Sequence, residues 1–575
     1  MDQSKHPPAV CHDNQEARTV DAIKTTSGRF FAETLKGYGV THVFYVPEVF
    51  DAAHEHLSQA GITKVMAHHE VATAYMADGY ARAGRKPGVC MAQQVGAANM
   101  AAGLRDAFLA SSPVVCVTGG TTPEAHYRHH YQVIEDYDVY RPVTKFNAKV
   151  EMPSRLPDLL RQAFREATTG APGPVHLEFP GKEGEGIEAP IEAEVFPEPQ
   201  FAHLPPYRQE ADATAVTAAA KLLSAAERPV IVAGGGVITS GAEAEVVALA
   251  ERLSITVATS CTGKGTIAED HPLALGVTGS YGRPSAAQAV KEADLVFFIG
   301  SRAGDQTTKH YTAPPTGTAV IQLDINPAEV GHIYPAQVAL VGDVKLTLSK
   351  LINLVEPQAD TAAWVAHVQG LRDEWRAAIE PQSSSDAVPM RPERLCREIS
   401  AFLPENGVLV ADTGQAGIWV SQLAELTRPG QRFIRCFGTL GWAFAGAVGV
   451  KCALPDSTVV SFIGDGGMYY HLCELETAAR FNIPTITVVN NNAALSMIKA
   501  SFEDYGMNPA AMGAPREEYA FNDTNFAQIA TDMGCLGIRV ERPADLRPAF
   551  DRAQAAGRPA VIDVVTAVEA IPSWS

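Results

Sequence analysis

Residues 459–497 read VVSFIGDGGMYYHLCELETAARFNIPTITVVNNNAALSM, and the order of residue types in this stretch decides the fold. The apolar run 459–463 breaks into Gly464-Asp465-Gly466-Gly467, and an amphipathic segment follows over 471–480. A second apolar run, 485–489, stops at Asn490-Asn491-Asn492. This spacing predicts a strand, a helix and a strand, the parallel βαβ unit of an α/β protein. Ligands of open α/β sheets sit beyond the carboxyl ends of the strands, so Asp465 and the asparagine run are expected to meet in space. Glycine lets backbone come close to a ligand, and amides at a helix start suit an anion. A carboxylate beside such an anion invites a divalent cation. Mg²⁺ takes hard oxygen ligands in octahedral geometry, usually one or two protein groups with phosphate oxygens and water. Asp465, an asparagine side-chain oxygen and one main-chain carbonyl suffice for it.

Outward from this stretch, composition bounds the class. A chain of 575 residues, 46% of them apolar, is large enough for three or four domains with well-filled cores. Lys+Arg number 46 against 65 Asp+Glu, a net charge of −19 without a basic run, which argues against nucleic acid or an anionic membrane as partner. Residues 1–21 lack the apolar centre of a signal peptide and read as a disordered polar tail. No apolar run reaches the ~18 residues that a bilayer requires. Nine cysteines lie scattered without CxxC pairs, several inside apolar runs such as those around Cys90 and Cys116. They read as reduced core residues of a cytoplasmic protein.

Along residues 22–182, helical segments such as EVATAYMADGYARAG alternate with strand-like ones, THVFYV, KVMA, GVCMAQ and PVVCVTG. Such alternation predicts a parallel sheet covered on both faces. A charged, proline-rich segment, 183–212, reads as a linker, and a second block follows over 213–355. There Gly234-Gly235-Gly236 follows the strand-like PVIVA, where a glycine run either cradles phosphates or simply turns the chain. Residues 356–391, with the helical TAAWVAHVQGLRDEWRAAI and a polar SSSD, read as a second linker. The third block, 392–575, repeats the style of the first and contains the opening stretch. The expected fold class is α/β, with three doubly wound parallel-sheet domains.

The GDG at 464–466, answered 27 positions beyond Asp465 by Asn492, resembles the diphosphate and Mg²⁺ motif of thiamine diphosphate (ThDP) enzymes. Sequence from about residue 20 to 568 is similar to the acetolactate synthase, benzaldehyde lyase and pyruvate decarboxylase superfamily. The resemblance implies a pyrimidine-binding, a middle and a diphosphate-binding domain, in that order. It implies that Asp465 and Asn492 are side-chain ligands of Mg²⁺, that Ala494 offers a carbonyl, and that Gly466 and Gly467 lie against the diphosphate. The asparagine run leaves the register open by one, with Asn491 in reserve. ADTGQAGIW resembles the family's DxGQ turn, which puts Gly414 and Gln415 at the diphosphate. RCFGTLGWAFAGAVG resembles its wedge: Leu440 would prop the cofactor rings apart, the Gly438 carbonyl would accept from the 4′-amino group, and Met497 would join the cofactor site. By the same resemblance the cofactor lies between the first domain of one subunit and the last of another, so a homodimer or homotetramer is expected.

Glu70, in VMAHHEVATAYMADGYARAG, ends a strand and opens a helix. An acid is favoured at a helix start by the macrodipole, worth about 0.3–1 kcal/mol, and spacing alone assigns it no more. The segment, however, resembles the family's HExxAAxxADGYAR, in which this glutamate hydrogen-bonds the aminopyrimidine ring. A carboxyl buried there can exchange a proton with the ring and so favour the tautomer that activates the cofactor.

On the substrate side, Tyr131-Gln132 resembles the FQ of acetolactate synthases, and His129-His130 stand where pyruvate decarboxylases carry tandem histidines. Imidazoles titrate near neutrality and can relay protons, which makes His129, His130 and Gln132 catalytic candidates with Glu70; a solvated loop that includes His126 accounts for them equally. Three departures from the family pattern set the substrate pocket apart: Val46-Pro47-Glu48 for GxPG, QQVG at Gln93 to Gly96 for SGPG, and Ser496 for a glycine. GKGTIAEDHPLALGVTG and IGSRAGDQTT are similar to the acetolactate synthase region that holds FAD, although VTGSYG replaces the flavin-contacting sequence, so FAD is an open candidate.

The function expected is that of a ThDP- and Mg²⁺-dependent lyase or transferase acting on a 2-oxo acid. It would be a decarboxylase or an acetolactate synthase-like carboligase with an aldehyde or ketone acceptor. One alternative is a 2-hydroxyacyl-CoA lyase or oxalyl-CoA decarboxylase, against which GDG in place of GDS speaks. The other is a protein that holds ThDP without turnover, against which intact Glu70, Asp465 and Asn492 speak.

Overall fold

The computed structural model describes residues 24–357, 359–504 and 515–572; the expected tail, 1–21, lies outside the described residues. The chain builds three six-stranded sheets, every one of them parallel throughout. In the first domain, β1 (Lys24–Thr26) precedes β2 (His42–Val46), β3 (Thr63–Met66), β4 (Gly88–Ala92), β5 (Val114–Gly119), β6 (Phe146–Lys149), β7 (Val175–Phe179) and β8 (Pro190–Glu192). Its sheet runs β3-β2-β4-β5-β7-β6. The central domain has β9 (Pro229–Ala233), β10 (Thr256–Thr259), β11 (Ala274–Val277), β12 (Leu295–Ile299), β13 (Ala319–Asp324) and β14 (Val338–Val341), in the order β11-β10-β9-β12-β13-β14. The third has β15 (Val408–Ala411), β16 (Arg432–Arg435), β17 (Val459–Gly464), β18 (Ile486–Asn491), β19 (Leu536–Val540) and β20 (Ala560–Val565), in the order β16-β15-β17-β18-β20-β19.

Counted from β2 and from β15, the first and third sheets share one order, 2-1-3-4-6-5; the central sheet, counted from β9, runs 3-2-1-4-5-6, the order of dinucleotide-binding folds. The likeness of the outer blocks, seen first as a rhythm of segments, is thus a likeness of topology. Strands such as β5 and β12 are buried at every residue, which is why they read as continuous apolar runs rather than alternating ones.

The two segments taken for linkers are bound more closely than that. Within 183–212, Ile187, Ile191 and Phe201 are buried in the core of the first domain, and β8 pairs antiparallel with β1. Burial of those three side chains holds the segment to the first domain. Within 356–391, the helix Ala362–Ser383 buries Trp364 and Val368 against the central domain, and Arg376 reaches Glu425 of the third at 2.8 Å.

First and third domains meet through two helices, Glu70–Gly84 and Trp442–Ala453. A Cβ on Gly79 would lie 2.1 Å from the Gly446 carbonyl oxygen, and one on Gly449 would lie 1.8 Å from that of Met76. Only glycine permits this backbone contact. Central and third domains are tied by buried charge: Glu269 takes Lys264 at 2.6 Å, Arg283 at 3.2 Å and the Leu426 amide at 2.9 Å. No helix among the described residues is long and apolar enough to cross a membrane.

Candidate active site

In the third sheet the strand order reverses between β15 and β17, so the turns that follow these neighbours open into one crevice. β15 leads into Asp412-Thr413-Gly414-Gln415 and β17 into Asp465, while Gly464 pairs with Asn490 of β18. The apolar runs end one or two residues later than their composition suggests, since β17 includes Gly464 and β18 includes Asn490 and Asn491.

Asp465 is buried, and its carboxylate is held wholly by main-chain amides. Oδ1 accepts from Gly466 at 2.7 Å; Oδ2 accepts from Asn492 at 3.2 Å and from Ala494 at 3.0 Å. No cationic side chain pairs with it among the described residues, and burial pushes its carboxyl up to about 6. An anion kept dry without a counterion suits a metal position. The asparagines differ in what they have to give. Asn491 donates to Asp563 and to the Thr524 carbonyl, both at 2.9 Å, and its own oxygen lies 3.4 Å from the Ala493 amide. Asn492 donates to Ser496 at 2.7 Å and leaves Oδ1 uncommitted among the described residues. The oxygens of Asn490 and Gln415 are buried without partners among the described residues. No cluster of three or more His, Cys, Asp or Glu that could hold a metal exists among the described residues, so a cation here would depend on one carboxylate and amide oxygens, the donor set that Mg²⁺ accepts.

Gly414 has φ +66°, and a Cβ placed on it would lie 4.0 Å from the Met497 sulfur; Gln415 donates to the Ser496 carbonyl at 3.1 Å. Gly414, Gln415, Asp465, Gly466, Gly467, Asn492, Ala494 and Met497 therefore share one place. Beside it lies a cleft of about 440 Å³ lined by Gly466, Tyr469, Tyr470, Leu495 and Phe521. Gly438, at φ +130°, has open space where a side chain would be, and Leu440 is half-buried. The turn that carries them is held by Asp412, whose Oδ2 accepts from Gly441 at 2.9 Å and Ala443 at 3.3 Å while Oδ1 accepts from Thr413 at 2.7 Å. Burial pushes the Asp412 carboxyl up to about 7. Sequence reasoning gave Asp412 no role, although it is the first letter of the DxGQ turn.

Glu70 opens its helix as expected, with the His69 ring accepting from Val71 at 3.2 Å. Glu474 of the third domain accepts from the His68 and His69 amides, both at 3.1 Å, and so fixes the turn before it. The Glu70 carboxylate accepts from Asn99 at 3.2 Å and faces Gly96, where a Cβ would come within 2.4 Å. No hydrogen bond or ion pair joins it to the described residues of its own third domain.

His129, His130 and Gln132 lie on a loop between β5 and the helical turn Tyr137–Val143. Both histidines are exposed, Gln132 is half-buried, and none of the three side chains makes a hydrogen bond among the described residues. Only His126 is paired, with Glu135 at 2.7 Å. The structure does not bring this group to Asp465 within the chain. In the central domain, the glycine run packs against the loop after β12: the Gly236 amide donates to Gly300 at 3.0 Å, and a Cβ on Gly234 would lie 2.2 Å from the same carbonyl oxygen. Close backbone contact, rather than an open cradle, accounts for those glycines.

Comparison with known proteins agrees with this geometry domain by domain. Residues 25–139 match the thiamine pyrophosphate enzyme N-terminal TPP binding domain, 216–351 the central domain and 412–564 the C-terminal TPP binding domain. The chain is 32% identical over 562 residues to a probable acetolactate synthase large subunit of Methanocaldococcus jannaschii, covering 94% of this chain and 92% of that one. It is 31% identical over 553 residues to the acetolactate synthase isozyme 1 large subunit of Escherichia coli K12 (94% and 93%), and 30% identical over 545 residues to a glyoxylate carboligase of Escherichia coli O157:H7 (91% and 89%). The chain belongs to the thiamine pyrophosphate enzyme family. Within that family it is a ThDP- and Mg²⁺-dependent enzyme of the acetolactate synthase type.

Proposed function

We propose that the enzyme cleaves or forms the carbon–carbon bond next to the carbonyl of a 2-oxo acid, with an aldehyde or ketone as acceptor where it ligates. The observation that supports this most is the convergence of a dry, cation-free Asp465, the uncommitted Asn492 oxygen and the Gly414-Gln415 turn at the β15/β17 reversal. Asp465, Asn492 and the Ala494 carbonyl would hold Mg²⁺, and the backbone at Gly414, Gly466 and Gly467 would approach the diphosphate. Gln415 and Met497 line the same end. The Gly438 carbonyl would accept from the cofactor's amino group, and Leu440 would support its rings. Bound ThDP would supply the carbanion chemistry that a bond next to a carbonyl requires. Glu70 moves a proton to and from the pyrimidine ring. Because no hydrogen bond or ion pair joins its carboxylate to the described residues of its own third domain, Glu70 serves the cofactor of a second copy.

A second copy has a surface to cover. The outward face of the helix Gln94–Leu109 carries Val95, Ala98, Ala102 and Phe108 beside Asn99 and Arg105, all exposed in the single chain. An apolar helix face of this kind is an interface in waiting. The loop with His129, His130 and Gln132 reaches substrate across the same interface. FAD in the central domain is a finer proposal, supported by the sequence similarity there and by the 3-2-1-4-5-6 strand order; visible flavin absorbance of the purified protein decides it. A reducing, cytoplasmic setting suits eight free cysteines among the described residues.

The decisive assay incubates the holoenzyme with pyruvate, glyoxylate and longer 2-oxo acids, with and without aldehyde acceptors, and identifies the products. Carbon dioxide with a ligated hydroxy-ketone product selects carboligation, and carbon dioxide with free aldehyde selects decarboxylation. No turnover of any 2-oxo acid, with competition by CoA thioesters, would move the reading to the acyl-CoA lyases.

A further inference from the structure

The turn that carries Gly438 and Leu440 has little packing of its own. Gly438 is exposed with open space around it, and Phe437 is 37% exposed. Something must hold its shape, and Asp412 grips only the C-terminal end, at Gly441 and Ala443. The other end is held from a different domain. Asp106, almost completely buried on the helix Gln94–Leu109, accepts from the Phe437 amide through Oδ1 and from the Thr439 hydroxyl through Oδ2. Tyr75 lies against the same Thr439, and Arg82 donates to the Arg435 carbonyl at 2.7 Å just upstream. The two donors to Asp106 flank Gly438 on both sides, so the carboxylate fixes where that carbonyl points. The helix behind it is anchored as well. Asn99, two turns before Asp106 on the same face and about 10 Å along the axis, is the residue that braces Glu70.

Resting on the reading of Gly438 and Leu440 as cofactor contacts, we infer that Asp106 is a positioning residue: it holds the turn Phe437 to Leu440 from the first domain and thereby aims the Gly438 carbonyl. Both of its carboxylate oxygens are taken by the turn, so Asp106 acts through Gly438. An uncharged amide in its place could still accept from the Phe437 amide, but the Thr439 hydroxyl would have to turn and accept from its N–H, and both bonds would lose their charge assistance.

Two independent readouts test this on the Asp106→Asn variant. In the apoprotein, amide hydrogen exchange of the peptide spanning 437–441 is expected to accelerate about ten-fold or more, the effect of losing a charge-assisted bond. In the holoenzyme, Mg²⁺-dependent ThDP affinity and KM are expected to stay within about three-fold, while kcat and the exchange rate of the bound cofactor's thiazolium proton fall together by about ten- to a hundred-fold. Unchanged amide protection, or wild-type kcat, overturns the assignment. A loss of ThDP affinity in step with kcat overturns it too, by showing a structural role. If Asp106→Asn does not fold, Thr439→Val removes one donor and leaves the carboxylate; the same readouts then apply, with a fall in kcat of about three- to ten-fold expected and wild-type kcat as the contrary result. Failure of the wild-type protein to bind ThDP would strike the cofactor reading instead, and the amide-exchange arm would still decide the clamp.

Discussion

Neighbouring asparagines at the end of β18 have opposite tasks, and their hydrogen bonds say which is which. Asn491 faces Asp563, whose other oxygen takes Arg539 and the Phe526 amide, both at 2.9 Å. Replacing Asn491 by Ala deprives a buried carboxylate of a donor, so urea denaturation of the apoprotein is expected to show a loss of about 1–3 kcal/mol. Asn492→Ala removes an oxygen that no group among the described residues uses, together with the amide that donates to Ser496. Its unfolding curve is expected to stay within about 1 kcal/mol of the wild type, the worth of that one bond. Titration with ThDP at fixed Mg²⁺ is expected to show affinity at least about ten-fold weaker, the loss of one metal ligand. The reverse pattern would shift the ligand to Asn491. At this scale sequence was informative about chemistry and ambiguous about register: a run of identical residues has no internal mark, and only the strand's alternation turns Asn491 inward and leaves Asn492 at the crevice.

Among the elements, β7 carries a buried histidine whose state the surrounding bonds dictate. Asn147 uses its amide to donate to Tyr137, so its oxygen must accept from His176 Nδ1, at 2.7 Å; Nε2 therefore accepts from Thr118, also at 2.7 Å. The ring stacks on Tyr140 with centroids 3.5 Å apart. Burial lowers the His176 pKa from 6.5 to about 3. A folded value below the unfolded one means that this group's stabilisation is complete above pH 6.5 and is lost as pH falls towards 3. Between about pH 8 and about pH 5 the wild type is expected to lose about 2 kcal/mol more than His176→Asn, as read by urea denaturation at both pH values. Parallel curves would mean that the ring is not held neutral. The crossing of Glu70–Gly84 with Trp442–Ala453 is equally exacting. Gly449→Ala would push a methyl group onto the Met76 carbonyl, and a loss of about 1–3 kcal/mol in thermal or urea unfolding is expected. The helix Glu70–Gly84 was legible in the sequence, but the partners of His176 and Gly449 were not.

For the whole molecule, the question is where one site ends and the next begins. If Glu70 serves a cofactor anchored by Asp465 of a second copy, then Glu70→Gln and Asp465→Asn are each inactive, yet a mixture refolded together is not. Random pairing makes half of the dimers mixed, and each of those has one intact site, so about a quarter of wild-type activity is expected. Sites confined to single chains would give none. Placing Asp on the exposed apolar face, as Val95→Asp or Phe108→Asp, is expected to yield monomers by light scattering and to abolish turnover together with dimerisation.

Short-range physics is what the amino-acid sequence by itself determined. The alternation of buried strands and amphipathic helices specified three parallel α/β domains, and the turn chemistry at Gly464-Asp465-Gly466 marked where an anionic ligand could meet backbone, while Gly414-Gln415 and Gly438 to Leu440 were marked by resemblance to a known family. These features depend on residues a few positions apart, whose conformational preferences act locally. Tertiary structure alone decided that the supposed linkers are packed, that Asp412 and Glu474 position the site, and that Asp106 grips a turn more than 300 residues downstream. Such contacts carry no periodicity and no local propensity. They exist because burial of the cores brings distant segments together, and a buried carboxylate must then find donors wherever the fold has placed them.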